Sequence, residues 1–314
     1  MSRLVLYQTR NQVSQIQILF HAIRDLSFLY TLFRLNDRKK AKYHKIFIHG
    51  FLQWTDKTVF AFWQLLGYIS RNKIPMNDLL KLAVEAHGGI QKWKGYTSLE
   101  AHLHVTGKVW AIKGKPDIFK DVYYHADLHE QSTGFNHFPK EDQFTTFRPD
   151  RVSIETSDGK IIEESLHPRA TFAGHEWATP WSLLQMLYFS NYAFWTYMTA
   201  PFNFTLSGYE TRELEPWMEG SEIWRRLEVT FPDWIATHNK VQIFYYDERG
   251  FQRRHDYAPD IMNHFISTQI VSDYKEYDGI MLPTKRIIYI RNPDDSFQPE
   301  PELVHVEVES VKFK

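Results

Sequence analysis

The chain has 314 residues, 43% of them apolar and 24% charged, an ordinary globular composition that allows one large or two small domains. It has no cysteine, which excludes disulfides, thiolate nucleophiles and thiolate-ligated zinc. The formal net charge of −1 conceals an asymmetry: residues 1–75 carry 12 Lys and Arg against 3 Asp (Asp25, Asp37, Asp56) and no Glu, and the remainder carries 25 basic against 35 acidic residues.

The basic segment holds Arg38-Lys39-Lys40, Lys42 and Lys45, and Ile16, Leu19, Phe20, Ile23 and Leu26 give residues 11–35 the spacing of an amphipathic helix. It reads either as an anchor for anionic lipid or nucleic acid, or as an appendage preceding a true start at Met76, where the charge changes sign. The second reading is preferred. No clean apolar run follows the basic start, so no secretory signal is expected. With cysteine absent as well, a cytoplasmic location is expected. Thr58 to Ser70 is uncharged but, at 13 residues, too short to span a bilayer.

From Met76 the pattern becomes regular. Asn77 or Asp78 caps a helix through Leu79, Leu80, Leu82, Ala83 and Ala86, ended by Gly88-Gly89. The period then shifts to two. Leu99, Ala101, Leu103, Val105 and Val109 alternate with Glu100, His102, His104, Thr106 and Lys108, and a second strand runs through Ile118, Val122, Tyr124, Ala126 and Leu128. Val152 and Ile154 lead through Asp158-Gly159 to Ile161 and Ile162, a hairpin.

Trp177 to Tyr209 follows: 33 residues without a charged side chain, 11 of them aromatic. Thr179-Pro180 has the form of a helix start and Pro201 of a stop. Trp181, Leu184, Tyr188 and Trp195 fall on one face and Leu183, Leu187, Phe194 and Tyr197 on another, so this helix is apolar all round and must be enclosed. Each buried ring removes roughly 150–250 Å² from water. A membrane span is disfavoured because Ser182, Gln185, Ser190, Asn191, Thr196 and Thr199 interrupt the stretch and no basic cluster flanks it.

Further strands are read at Leu227 to Phe231, Val241 to Tyr246, Phe251 to Tyr257, Ile270 to Tyr277, Thr284 to Ile290 and Val304 to Val308, making roughly ten strands and two helices. Short links make the order antiparallel, and a sheet this long curls as its twist accumulates. The predicted fold class is mainly β (α+β): a strongly curled antiparallel sheet forming a half-open barrel, with the aromatic helix plugging its concave side.

This order, with Glu85-Ala86-His87-Gly88-Gly89 closing the first helix and Asp273 to Thr284 forming a late hairpin, resembles the bacterial lipoprotein-carrier superfamily (LolA-like, a fold also seen in the violacein-pathway enzyme VioE) and uncharacterised bacterial proteins of that shape. The resemblance covers residues 76–314. It implies a concave apolar pocket for a lipid-like or aromatic small molecule. Lipoprotein transport is not carried over, because those carriers are periplasmic, and no catalytic residue is carried over either.

Trp181, Leu184, Tyr188, Tyr192 and Trp195 are the candidate ligand-lining residues, with His175 at the rim and Gln242 nearby. On the strand after Phe251, Arg253, His255 and Tyr257 share a face, which makes them, with His238, candidates to move or position protons; a cross-strand polar ladder is the competing reading. His102 and His104 share a face that also holds Glu100, Thr106 and Lys108, which reads as solvated, so no metal site is expected. No HExxH, GxSxG, GxxxxGK[ST] or GxGxxG occurs, so no cofactor is expected, and the acidic balance of residues 76–314 argues against nucleic acid. Binding of an apolar or aromatic small molecule is the leading expectation. A cofactor-free enzyme acting on such a molecule and an interaction scaffold are the alternatives.

Overall fold

The computed structural model describes residues 76–314; the amphipathic helix expected within residues 11–35 and the basic run lie outside the described residues. Helix α1 (Asp78–Ala86) opens with the Asn77 side chain accepting from Leu80 N at 3.0 Å, and buries Leu79, Leu80, Ala83 and Val84. Gly88 follows at φ +117°, where a Cβ would lie 2.4 Å from the Gly279 carbonyl, so this close crossing requires glycine. After the short helix α2 (Ile90–Trp93) the chain lays down β1 (Ser98–Thr106), helix α3 (Lys108–Ile112), β2 (Val122–Asp127), β3 (Thr133–Asn136), β4 (Gln143–Arg148), β5 (Arg151–Thr156) and β6 (Ile161–Ser165). Lys108 and Val109 therefore lie in α3 and do not extend β1; Gly107, at φ +122°, makes the break.

Helix α4 (Leu183–Thr199) comes next, followed by β7 (Glu210–Glu219), β8 (Glu222–Thr230), β9 (Val241–Tyr246), β10 (Gln252–Tyr257), β11 (Ser267–Tyr277), β12 (Ile280–Arg291), β13 (Phe297–Gln298) and β14 (Val304–Phe313). The strands form one antiparallel sheet in the order β6-β5-β4-β3-β2-β1-β14-β12-β11-β10-β9-β8-β7, with β13 added on β12. It consists of two six-stranded meanders, β1 to β6 and β7 to β12, joined by β14. On β1, Leu99, Ala101, Leu103 and Val105 are buried, as the alternation predicts. Strands β3, β4, β7 and β13 go beyond the expected set: β3 has only 4 residues and β13 only 2, β4 turns Gln143 and Thr145 inward with Phe147, and the edge strand β7 buries neither face fully.

The sheet remains open, with β6 and β7 at its two ends, and it curls around α4. Tyr188 of α4 meets Phe147 of β4 with ring centroids 5.7 Å apart, and the Tyr197 hydroxyl lies 3.2 Å from that of Tyr257 on β10. In the strand order β4 and β10 are seven places apart. A flat sheet would separate them by about 33 Å at ~4.8 Å per strand, whereas a helix with its side chains is only ~10–12 Å across. One helix can touch both only if the wall bends round it. The bend is fastened where the β2–β3 turn meets the β8–β9 loop: Gln131 Nε2 donates to the Ala236 carbonyl and Ala236 N donates to Gln131 Oε1, both at 2.8 Å and buried.

Helix α4 is enclosed on every side, all of Met186 to Thr199 being buried. It starts three residues later than Thr179-Pro180 suggests. Ser182 and Gln185 cap it reciprocally, Ser182 Oγ accepting from Gln185 N at 3.2 Å and Gln185 Oε1 from Ser182 N at 2.9 Å, whereas the Thr179 hydroxyl accepts from Glu176 N in the preceding turn. At the other end Pro201, lacking an N–H, cannot continue the ladder to the Tyr197 carbonyl. No helix among the described residues is long and apolar enough to cross a membrane.

Candidate functional site

Two features meet on the concave side of the sheet, a polar cluster and a hollow. The cluster assembles because α4 turns Tyr192 and Tyr197 toward the β8–β9 loop and β10. A bulge between Gln252 and Arg254 shifts the pairing of β10 with β9. Beyond it, His255 and Tyr257 face inward: the His255 ring stacks on Phe244 and that of Tyr257 on His238, each pair at 3.9 Å. The two nitrogens of His238 lie 3.2 Å from the Tyr192 and Tyr197 hydroxyls. A neutral imidazole satisfies both, donating to one and accepting from the other.

Gln242 fixes the other histidine. Its Nε2 donates to the Asn239 carbonyl at 2.8 Å and to the Thr237 hydroxyl, which leaves Oε1 to accept from His255 Nε2 at 2.7 Å. That contact assigns the His255 proton to Nε2, and the buried Nδ1 has no partner. Burial drives the His238 pKa down to about 3 and that of His255 well below the ordinary value, while it pushes Tyr197 up to about 12 and Tyr192 and Tyr257 well above the ordinary value. Every member of the cluster is therefore neutral at ordinary pH.

Arg253, expected on the same face, lies elsewhere. It occupies the bulge, with its guanidinium 5.7 Å from the Trp224 ring centroid and 3.8 Å from the Asp247 carboxylate. A cation that enters the interior below the end of α4 is Arg286 of β12, which sequence reasoning missed. Its Nη1 donates to Gln269 Oε1 at 2.9 Å and its Nη2 to the Tyr197 carbonyl that Pro201 leaves without a donor. A cation at a helix C-terminus is favoured by the aligned peptide dipoles, yet burial still lowers the Arg286 pKa to about 10. The signal was its parity: Leu282, Thr284, Arg286 and Ile288 fall on one face of β12, and all four are buried.

The hollow lies between α4 and the wall, a cavity of about 30 Å³. Phe189, Phe194 and Tyr197 bound it on the helix side and Tyr257, Met262 and Ile288 opposite. Ser190 also lines it, and its hydroxyl, on a residue 1% exposed, has no hydrogen-bond partner. At ~10–15 Å³ per water this space holds about two waters, far below the ~300 Å³ of a small-ligand site.

The expected lining residues take other places. Trp181 packs against Phe172 and Phe189, with the Lys113 ammonium 4.5 Å from its ring centroid. Tyr188 packs on Phe147 and Phe172, Leu184 is buried in the same core, and Trp195 donates to the Asp127 carbonyl at 2.9 Å. Tyr192 is held by His238, and His175 lies edge-on to Phe172. His102 and His104 project from the other side of β1, on its more exposed face.

No protein-family model matches the chain, and no curated protein matches it. Among solved structures it is similar to a LolA superfamily protein from Nitrosomonas europaea, at 12% identity and TM-score 0.45 over 75% of this chain and 92% of that one. An outer membrane lipoprotein-sorting protein domain from Vibrio parahaemolyticus gives 10% and 0.45 over 75% and 92%. A DUF1329 family protein from Desulfovibrio piger gives 10% and 0.45 over 76% and 94%.

Proposed function

We propose that the chain binds an apolar or aromatic small molecule, or the apolar part of a lipid-like one, in the hollow beside α4. The observation that carries this reading is the hollow itself, walled by Phe189, Phe194, Tyr257, Met262 and Ile288 between α4 and the sheet, with the Ser190 hydroxyl on its wall able to bond one polar group of a ligand. Tyr197, Tyr257 and Ser267 supply three more hydroxyls among largely apolar walls.

A ligand larger than water enters by displacing the rim. The rim is built from Trp177, stacked on Phe265 at 4.1 Å, and from the turn carrying Pro259 and Met262. Local bonds such as His264 N to Pro259 O and Phe265 N to Met262 O hold that turn, so moving it breaks no sheet ladder. The cofactor-free enzyme reading has less support, because His238 and His255 stand behind Tyr197 and Tyr257 and neither lines the hollow.

The test is titration of the full chain with indole, naphthalene and medium-chain fatty acids, followed by tryptophan fluorescence and calorimetry. Saturable binding of at least one probe is expected. Its loss is expected in Ala193→Leu, which places three carbons in the hollow on a good helix former. Absence of saturable binding in the parent chain, or undiminished binding in a folded Ala193→Leu variant, would overturn the reading.

A further inference from the structure

A second constellation lies on the exposed face of the sheet, away from the hollow. His102 and His104, two apart on β1, project the same way. Opposite them β14 is irregular: His102 pairs with Ser310 and Leu103 with Val308, so Glu309 is an extra residue in the ladder. Bulges re-aim side chains, and this one turns the Glu309 carboxylate onto the histidine pair. Its Oε2 lies 2.6 Å from His102 Nδ1 and 2.9 Å from His104 Nε2.

The far nitrogen of each ring is engaged by an oxygen acceptor, His102 Nε2 by Asp121 Oδ1 at 2.5 Å and His104 Nδ1 by the Lys120 carbonyl at 3.3 Å. Without a metal, the Glu309 carboxylate accepts ring N–H bonds from the near nitrogens. With the ring protons moved to the far acceptors, two imidazole lone pairs and the carboxylate converge on one point, a donor set that a cation can bridge. Tyr123, stacked on His102 at 4.5 Å and 9°, limits the rotation of that ring. A carboxylate behind a histidine is the arrangement that orients and strengthens imidazole ligands in metal sites.

We propose that His102, His104 and Glu309 bind a divalent transition-metal ion of the Zn²⁺ type, with Asp121 positioning His102. The ligand atoms lie within 4.8 Å of one another, a span that small side-chain rotations close to ~2.0–2.2 Å metal–ligand bonds. Two imidazoles and one carboxylate suit Zn²⁺, Co²⁺ or Ni²⁺ better than Mg²⁺ or Ca²⁺, which prefer oxygen throughout. Three protein ligands leave coordination positions for water, and the concavity flanked by Tyr123, Asn136 and His137 gives them access to solvent.

The test is calorimetric titration of the chelator-treated full chain with Zn²⁺, paired with visible absorption of the Co²⁺ form. One equivalent bound and a distinct Co²⁺ spectrum are expected. Glu309→Gln and His104→Ala should abolish both, and Asp121→Asn should weaken affinity about 10–100-fold with stoichiometry retained. All three substitutions lie on the outer face, so circular dichroism should be unchanged. No stoichiometric Zn²⁺ binding by the parent chain, or binding unaltered in Glu309→Gln and His104→Ala, would overturn the site.

Discussion

Gln131 and Ala236 exchange two hydrogen bonds of 2.8 Å across the mouth of the curled sheet, one side-chain amide answering both polar groups of one peptide unit. Each partner belongs to a loop of a different meander, so this contact ties the two halves of the wall together without a ladder between them.

Replacing Gln131 with Leu keeps the approximate volume and leaves the Ala236 N–H and carbonyl buried and unpaired. At ~1–3 kcal/mol for each of the two orphaned groups, a loss of about 2–6 kcal/mol is expected, read as a lower urea midpoint. An unchanged midpoint would mean that the wall is held elsewhere.

Arg286→Met removes the donor to the Tyr197 carbonyl while retaining an unbranched chain. A loss of about 2–3 kcal/mol is expected, with amide exchange accelerating first in the last turn of α4. Arg286→Ala should cost more, because it adds a cavity.

Ser182→Ala removes one half of the reciprocal cap of α4. About 1 kcal/mol should be lost, while Thr179→Ala, whose hydroxyl serves the preceding turn, should leave the helix intact. Thermal unfolding of the two variants separates these outcomes.

Acid should unfold the protein through its buried imidazoles. Burial holds His87 at about 4 and His238 at about 3, against 6.5 for the free side chain, and holds His255 low as well. The unfolded chain therefore takes up these protons first. Stability is fully present above pH ~6.5 and falls as pH drops through the window between 6.5 and the folded values, by several kcal/mol in total at ~1.4 kcal/mol per unit and group. Denaturation midpoints measured from pH 7.5 to pH 4 should show this slope, and His238→Gln should flatten it.

Much of the wall was legible because strands with one buried face alternate. Leu99 to Val105 and Val304 to Val308 announced themselves in that way. The start of α4 was misplaced because Thr179 and Ser182 both have capping chemistry, and only the Ser182–Gln185 spacing makes it reciprocal. Arg253 was read inward with His255 and Tyr257 because parity counting assumes an unbroken ladder, and the β10 bulge breaks it. The irregularity of β14 is equally invisible in the sequence: nothing in the residues near Glu309 signals that the strand carries an extra member. Strand-to-strand irregularities arise between distant segments, where local patterns carry no information.

The place of β14 bears on timing. Among the described strands it follows all the others in the chain, and among them it alone supplies the ladder between the first meander and the second. While it is still being synthesised, the edges of β1 and β12 stand unpaired, each a template for any passing strand. The step that completes the wall is therefore also the one that removes two of its open borders, and a polypeptide cut before Val304 should aggregate rather than persist as two independent halves.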